Sequence, residues 1–251
     1  MKITWYTTAA IRLESDGESL LFDPFVPKSQ PELLDAYAKE RFILITHGHL
    51  DHLRSSPDIL RKSNAVVYCT QTPRKSLLRQ GVDASRITQI APGDKLNVGG
   101  CDVKVLRGRH IKFDAMLVAT TFIRSLTKLG DALEISRLNR EFPENGETIA
   151  FQVSTTDKTI LVLGSLGLDD DTGYGTPDVL VLPYQGRSDI EDVAMTVVAR
   201  AKPKTVFLNH FDNAFPPISR TIDTSGLIRR MEREFPQMMT ITPETGKEYA
   251  L

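Results

Sequence analysis

The sequence predicts an α/β fold in which two mixed β-sheets pack face to face and helices cover their outer surfaces, an αββα sandwich. The 251 residues, 41% of them hydrophobic and 25% charged, have ordinary globular composition and suffice for a large buried core. Strand patterns alternate with segments of helical periodicity, and the two halves of the chain contain a similar set of both. We therefore expect residues 1–251 to form a single domain.

The first half begins with three strand patterns, KITWYT, AAIRLES and SLLFDP, with a turn at Asp16-Gly17. A short helix in PELLDAYAKE precedes RFILIT, a continuous apolar run typical of a buried strand. Helix start signals at Ser56-Pro57 and Thr72-Pro73 flank another buried strand, AVVYCT. The runs RITQI, DKLNV and CDVKVLRGR, separated by Pro-Gly and Gly-Gly steps, are expected to be consecutive antiparallel strands.

The second half follows a segment of different character. Between residues 111 and 147, apolar residues such as Leu126, Leu129 and Leu133 recur at helical spacing, and we interpret the segment as a helical insertion. Strands are then expected at IAFQVST, TILVLGS, DVLVLPY and TVFLNHF, with an amphipathic helix before the last of them. The final run, MTITPETGKEYAL, is expected to form a terminal strand pair.

Charge and hydropathy restrict the classes of partner. The formal net charge is -1 with no run of like charge, so nothing indicates a nucleic acid or a membrane surface as a partner. Arg12 and Glu14 interrupt the stretch where a signal peptide would be apolar, and no apolar run approaches the ~20 residues of a membrane span. We expect a cytoplasmic protein. Cys69 and Cys101 lie in strand patterns and are expected to be buried free thiols.

Four potential metal ligands occur within six residues, directly after the buried strand FILIT. They are His47, His49, Asp51 and His52. Imidazole and carboxylate are natural ligands for zinc and similar divalent ions. The chain has five histidines, and the remaining two, His110 and His210, also follow predicted strands. Either of these alone would more often be an ordinary polar residue at a strand end, but beside such a cluster we expect both to be ligands.

The run THGHLDH resembles the His-x-His-x-Asp-His signature of the metallo-β-lactamase superfamily. The opening strands, which end in Asp23-Pro24, and the order of His110 and His210 extend the resemblance over essentially the whole chain. It is nearest to the branch that contains ascorbate-phosphate lactonase. The resemblance implies a metallo-β-lactamase fold with a dinuclear site at one edge of the sheets. One ion would be held by His47, His49 and His110, and the other by Asp51, His52 and His210.

One departure from the superfamily pattern concerns the second ion. The strand TILVLG is usually followed by an Asp that bridges both metals, and here that position is Ser165. Asp169, Asp170 and Asp171 follow four to six residues later and are weak candidates to replace it. The loss weakens the second site and disfavours simple phosphodiesterase-type members. Two zinc ions are the default expectation. Manganese, iron and nickel are alternatives, because coordination geometry and the availability of each metal in the cell also decide which ion binds.

The resemblance implies a hydrolase in which a metal-bound hydroxide attacks a small-molecule ester, lactone, amide or phosphoester. Asp51 would orient the hydroxide and accept a proton. Two alternatives stay open: a metal-dependent phosphodiesterase or nuclease, and a noncatalytic metal-binding or sensing protein. Homo-oligomerisation is expected only by analogy with relatives.

Further residues are candidates for supporting roles. Asp23 and Asp212 would hold ligand histidines in place, although both could equally be turn residues. Tyr184 and Arg187, which follow the strand VLVLP, are candidates to contact an anionic substrate, although an ordinary surface role is the commoner one for such residues. Substrate choice is expected to depend on the loops and on the segment 111–147.

Overall fold

The computed structural model describes residues 1–126, 130, 133, 137, 140–214, 216 and 219–251. The strands are β1 (Lys2–Thr7), β2 (Ala10–Ser15), β3 (Glu18–Phe22), β4 (Phe42–Leu44), β5 (Val66–Cys69), β6 (Ile87–Gln89), β7 (Lys95–Val98), β8 (Cys101–Arg109), β9 (Ile149–Ser154), β10 (Thr159–Leu163), β11 (Gly167–Leu168), β12 (Val179–Pro183), β13 (Thr205–Asn209), β14 (Met239–Ile241) and β15 (Glu248–Ala250). The α-helices are α1 (Leu33–Tyr37), α2 (Leu50–Leu53), α3 (Ser56–Lys62), α4 (Gln71–Arg79), α5 (Ala115–Leu126), α6 (Ile190–Ala201) and α7 (Ser225–Glu234).

The strands form two mixed sheets. The first has the order β15-β1-β2-β3-β4-β5-β6, and the second has the order β11-β8-β9-β10-β12-β13-β14, with β7 paired to β8. Each sheet combines antiparallel meander strands with parallel strands that are joined through helices. The predicted pair of mixed sheets is confirmed.

Three apolar clusters hold the layers together. The central cluster takes side chains from both sheets, and Phe22 of β3 meets Phe151 of β9 there with ring centroids 5.7 Å apart. A second cluster packs α6 and α7 on the outer face of the second sheet. The third packs α1 to α4 on the outer face of the first sheet, with Tyr37 and Leu77 fully buried. The layering is therefore helix, sheet, sheet, helix.

Two strand pairings differ from the prediction. Strand β6 was expected to be antiparallel to its successors, but it pairs in parallel with β5 in the first sheet. The helix α4 between β5 and β6 returns the chain to the same end of the sheet, which produces a parallel neighbour. The predicted terminal pair is also wrong: β14 pairs with β13, whereas β15 pairs with β1 in the other sheet. The turn between them crosses from sheet to sheet, and Gly246 N–H donates to the Trp5 carbonyl (2.8 Å).

The predicted site segments meet at one edge of the sandwich because several strands end there. Strands β3 and β4 run parallel in the first sheet, as do β10, β12 and β13 in the second. Strand β8 runs in the same direction as β10, because each is antiparallel to β9. The carboxyl ends of parallel strands are where open α/β sheets place their ligand sites.

Other expectations concern the thiols and the segment 111–147. Cys69 and Cys101 are buried free thiols, as expected. The helix α5 lies within the segment 111–147, and the predicted helical position Leu129 lies outside the described residues. In the part of the chain that the structure describes, none of the helices has the length and apolar character needed to cross a membrane.

Candidate metal centre

The loop after β4 carries four of the candidate ligands and turns sharply. His47 follows the strand, His49 is the N-cap residue of α2 with extended backbone, and Asp51 and His52 lie on that helix. Gly48 separates the first two histidines, and a Cβ at this position would lie 2.3 Å from the Pro143 carbonyl oxygen. Only glycine therefore fits where the 142–148 segment covers the loop.

His47, His49 and His110 form the first donor group. Each offers one ring nitrogen, and the three nitrogens lie within 4.8 Å of one another; His47 Nε2 and His49 Nδ1 are 3.2 Å apart. Burial lowers the pKa of His47 well below its usual value, that of His49 to about 4, and that of His110 as well. All three imidazoles are therefore neutral at pH 7, which is the form that binds a metal ion.

Asp51, His52 and His210 form the second group, and their offered atoms also lie within 4.8 Å of one another. Asp51 Oδ2 is 3.0 Å from His210 Nε2 and 3.8 Å from His52 Nε2. Burial alone would raise the pKa of Asp51, but nearby His52 and the hydrogen bond from His210 outweigh it and hold the pKa well below the usual range. Burial likewise opposes charge on His52, whereas Asp23 and Asp51 raise its pKa.

Oxygen acceptors near the Nδ1 atoms determine which ring nitrogen is free. His52 Nδ1 lies 2.9 Å from Asp23 Oδ2, and His110 Nδ1 lies 2.8 Å from the Ile111 carbonyl. Thr46 Oγ1 donates to Asp23 (2.6 Å) and can accept from His47 Nδ1 (3.1 Å). In all three rings Nε2 is left for a ligand. The donor sets are neutral imidazole for one group and imidazole with carboxylate for the other, and both fit a divalent metal ion.

Asp23 also fixes the start of the ligand loop. Its side chain is buried, and it accepts from Thr46 N (2.8 Å) in addition to Thr46 Oγ1 and His52. Asp212 is placed differently, because its carboxylate accepts from Thr7 Oγ1 (2.6 Å) and from the backbone N–H of Thr8. The Thr8 carbonyl in turn accepts from the backbone N–H of His210 (2.8 Å). Asp212 thus supports the backbone of His210.

Ser165 lies beside the first group and has another partner. Its buried hydroxyl accepts from the backbone N–H of Ile111 (2.9 Å), the residue after His110. Asp169 is engaged elsewhere, because its carboxylate accepts from Arg109 Nε (3.2 Å) and Thr172 Oγ1 (2.9 Å). In the two donor groups that the described residues form, no carboxylate takes the place of a bridging Asp.

The loop after β12 does not present its residues to a substrate as expected. Tyr184 is buried in the second apolar cluster, and burial raises its pKa to about 12. Arg187 donates to both carboxylate oxygens of Asp189 and to the Lys112 carbonyl (3.0 Å). Gln185, which the histidine pattern gave no reason to single out, contacts His210 Nδ1 at 2.9 Å.

Comparisons with known proteins identify the family and the fold. Residues 2–210 match the family model described as a beta-lactamase superfamily domain. The chain is 26% identical over 260 aligned residues to a UPF0173 metal-dependent hydrolase of Chelativorans sp. (strain BNC1), with 100% of each covered. Among solved structures, Igni18, a metallo hydrolase of Ignicoccus hospitalis KIN4/I, superposes with a TM-score of 0.68 at 17% identity, covering 100% of this chain and 98% of that one.

An isothiocyanate hydrolase from Delia radicum gut bacteria superposes with a TM-score of 0.63 at 15% identity, covering 100% and 99% of the two chains. At these identities the solved structures establish the fold, and the family model, which spans well over half of the chain, establishes the family. The chain belongs to the metallo-β-lactamase superfamily of metal-dependent hydrolases.

Proposed function

We propose that this chain hydrolyses small-molecule esters, lactones, amides or phosphoesters at a site that holds two divalent metal ions, with zinc as the default. The observation that carries the proposal is the adjacency of two complete three-donor groups. The rings of His47, in the first group, and His52, in the second, have centroids 3.9 Å apart. If both groups held an ion, the two ions could act together on one substrate.

When bound, such ions supply Lewis acidity and lower the pKa of water toward neutrality. The chain's own residues prepare that chemistry. His47, His49 and His110 are neutral without any change of protonation. Asp51 is ionised at neutral pH, and its depressed pKa makes it a weak proton acceptor there, so we assign it an orienting and ligating role ahead of general base catalysis.

The surroundings favour carbonyl substrates over phosphoesters. Arg109 is paired with Asp169 and Asp170, and Arg187 is paired with Asp189, so these two guanidinium groups are neutralised. A phosphoester carries charge that would call for unpaired guanidinium or ammonium donors. One structural neighbour is named an isothiocyanate hydrolase, which adds small electrophilic carbon centres to the substrates worth testing.

Metal content of the purified protein, measured by plasma mass spectrometry, tests the proposal together with a panel of esters, lactones, amides, isothiocyanates and phosphoesters. We expect two ions per chain in the wild type, loss of most bound metal in His49→Ala, and loss of one ion in Asp51→Asn. Asp58→Asn is the matched control, because Asp58 is an exposed carboxylate on α3. A wild-type protein that binds no metal, or that binds it without turnover on any class, contradicts the proposed function.

A further inference from the structure

Gln185, in the loop that follows β12, contacts the candidate ligand His210. Its side-chain oxygen Oε1 lies 2.9 Å from His210 Nδ1, on the side of the ring opposite to Asp51. Gln185 Nε2 donates to the Arg220 carbonyl (3.2 Å). A carbonyl can only accept, so this contact fixes the amide with its nitrogen toward Arg220 and its oxygen toward His210.

The orientation of the amide decides where the proton of His210 lies. An amide oxygen can only accept, so His210 Nδ1 must carry a hydrogen in order to bond to it. The other ring nitrogen, Nε2, then faces Asp51 Oδ2 at 3.0 Å. We propose that Gln185 is a positioning residue that keeps the proton of His210 on Nδ1 and so leaves Nε2 for the metal ion held with Asp51 and His52.

The loop that carries Gln185 is held in place by hydrogen bonds from the residues that follow Gln185. These bonds fix the position of the Gln185 side chain relative to His210. Arg187 donates to the Lys112 carbonyl (3.0 Å), and the backbone N–H of Ser188 donates to Asp114 Oδ2 (2.6 Å). Lys112 and Asp114 lie two and four residues after His110 in the chain. One loop therefore contacts His210 of the second donor group and supports the segment that carries His110 of the first.

The second group needs this support because the chain has Ser165 where a bridging carboxylate is usual. When a metal ion takes Nε2, the single proton of the neutral ring is on Nδ1, and Gln185 Oε1 is the acceptor placed there at 2.9 Å. A proton on Nε2 blocks the nitrogen that would bind the ion. Loss of the amide oxygen should therefore weaken one ion and leave the other, held by the three-histidine group, unaffected.

The test is zinc affinity, measured by chelator competition on metal-depleted protein. Gln185→Met removes the acceptor at similar volume, and we expect roughly 10- to 100-fold weaker binding of one ion. Gln185→Glu keeps an acceptor and should bind both ions within about threefold of the wild type, on the same estimate. Gln89→Met, on the exposed face of β6, is the matched control. If Gln185→Met binds both ions as tightly as the wild type does, the inference is overturned.

A second readout does not depend on the variant binding metal. Long-range ¹H–¹⁵N spectra of the zinc-loaded wild type report the protonation of each ring nitrogen, and the chain has only five histidines. We expect His210 Nδ1 to be protonated and Nε2 to carry no proton. An unprotonated Nδ1 in the wild type overturns the inference even if Gln185→Met fails to fold. The inference rests on the proposed metal centre, and a wild type that binds no zinc refutes that centre instead.

Discussion

Three residues at the metal centre have left-handed backbone conformations although none of them is glycine. They are Thr8 (φ 45°), Asp23 (φ 45°) and His210 (φ 59°). Such conformations cost about 1–3 kcal/mol each in non-glycine residues and persist where surrounding bonds hold them. Here the Thr8 carbonyl accepts from both Trp5 Nε1 and His210 N, at 2.8 Å each. The strain is thus tied to the backbone that positions a candidate ligand.

Thr8→Gly should raise stability. The change relieves left-handed strain and removes Oγ1, which is buried without a hydrogen-bond partner, while both backbone bonds of residue 8 are kept. Against a glycine entropy cost of about 0.5–1 kcal/mol, we expect a net gain of about 1–2 kcal/mol in the free energy of unfolding, measured by urea denaturation.

Thr7→Gly is the matched control for this substitution. It removes the bond from Thr7 Oγ1 to Asp212 and puts glycine at the end of a strand, so it should destabilise. If Thr8→Gly is as destabilising as Thr7→Gly, the left-handed backbone of Thr8 is not strained.

Ser165→Asp should strengthen binding of the second ion. A carboxylate at this position would add an anionic donor where the superfamily pattern has its bridging Asp, and it could still accept from the Ile111 N–H that Ser165 binds now. We expect about tenfold tighter binding of the weaker ion, equivalent to about 1.4 kcal/mol, in chelator competition. Ser165→Ala removes the hydroxyl without adding charge and serves as the control. Equal or weaker binding in Ser165→Asp would show that the position does not face the second ion.

Strands with an unambiguous local pattern could be predicted from the sequence. The neighbouring strands to which they pair often could not. The apolar runs of β4, β10, β12 and β13 are central strands because nothing polar interrupts them. The three-residue strands β6 and β14 carry no pattern that tells which sheet they join. The helix that precedes each strand decides where the strand is placed. The residues of the strand itself therefore do not indicate its partner.

The start of α5 places exposed apolar side chains beside the metal centre. Asp114 caps the helix by accepting from Leu117 N (2.9 Å), and the bonds from Ser188 and Leu117 lower its pKa to about 2. Phe113 just before it has its ring centroid 5.8 Å from that of His110 and is 57% exposed. Met116, in the first turn, is 66% exposed. An apolar surface held next to the metal centre is suited to bind the apolar part of a substrate.

Phe113→Ala should therefore reduce the preference of the enzyme for substrates with long acyl chains. With p-nitrophenyl esters from acetate to octanoate, we expect kcat/KM for the octanoate relative to the acetate to fall about fivefold, which corresponds to roughly 40 Å² of apolar contact. Met239→Ala removes an apolar side chain that is equally exposed but lies on β14, and it should change nothing. An unchanged ratio in Phe113→Ala would exclude this surface from substrate binding.

Across the whole molecule, the histidine pattern predicted which side chains come together, because the strands that precede the ligands end at the same edge of the sandwich. His110 and His210 are 100 positions apart in the chain, and both join the cluster that follows β4. The supporting contacts of Gln185 and Thr8 could not be predicted in this way. Each arises from a loop or turn of a different element, and neither residue type indicates a role in a metal site.

Because the candidate ligands follow strands of both sheets, bound metal should stabilise the sandwich as a whole. The ligand loop follows β4 of the first sheet, whereas His110 and His210 follow β8 and β13 of the second. An ion that binds only the folded chain adds about 2.7 kcal/mol of stability at a free concentration 100-fold above its Kd. For a chain of this size that corresponds to a Tm about 5–10 °C higher than in chelator-treated protein, measured by calorimetry. His49→Ala should show a much smaller difference between the two conditions, and equal Tm values for the metal-loaded and metal-depleted wild type would mean that no ion links the two sheets.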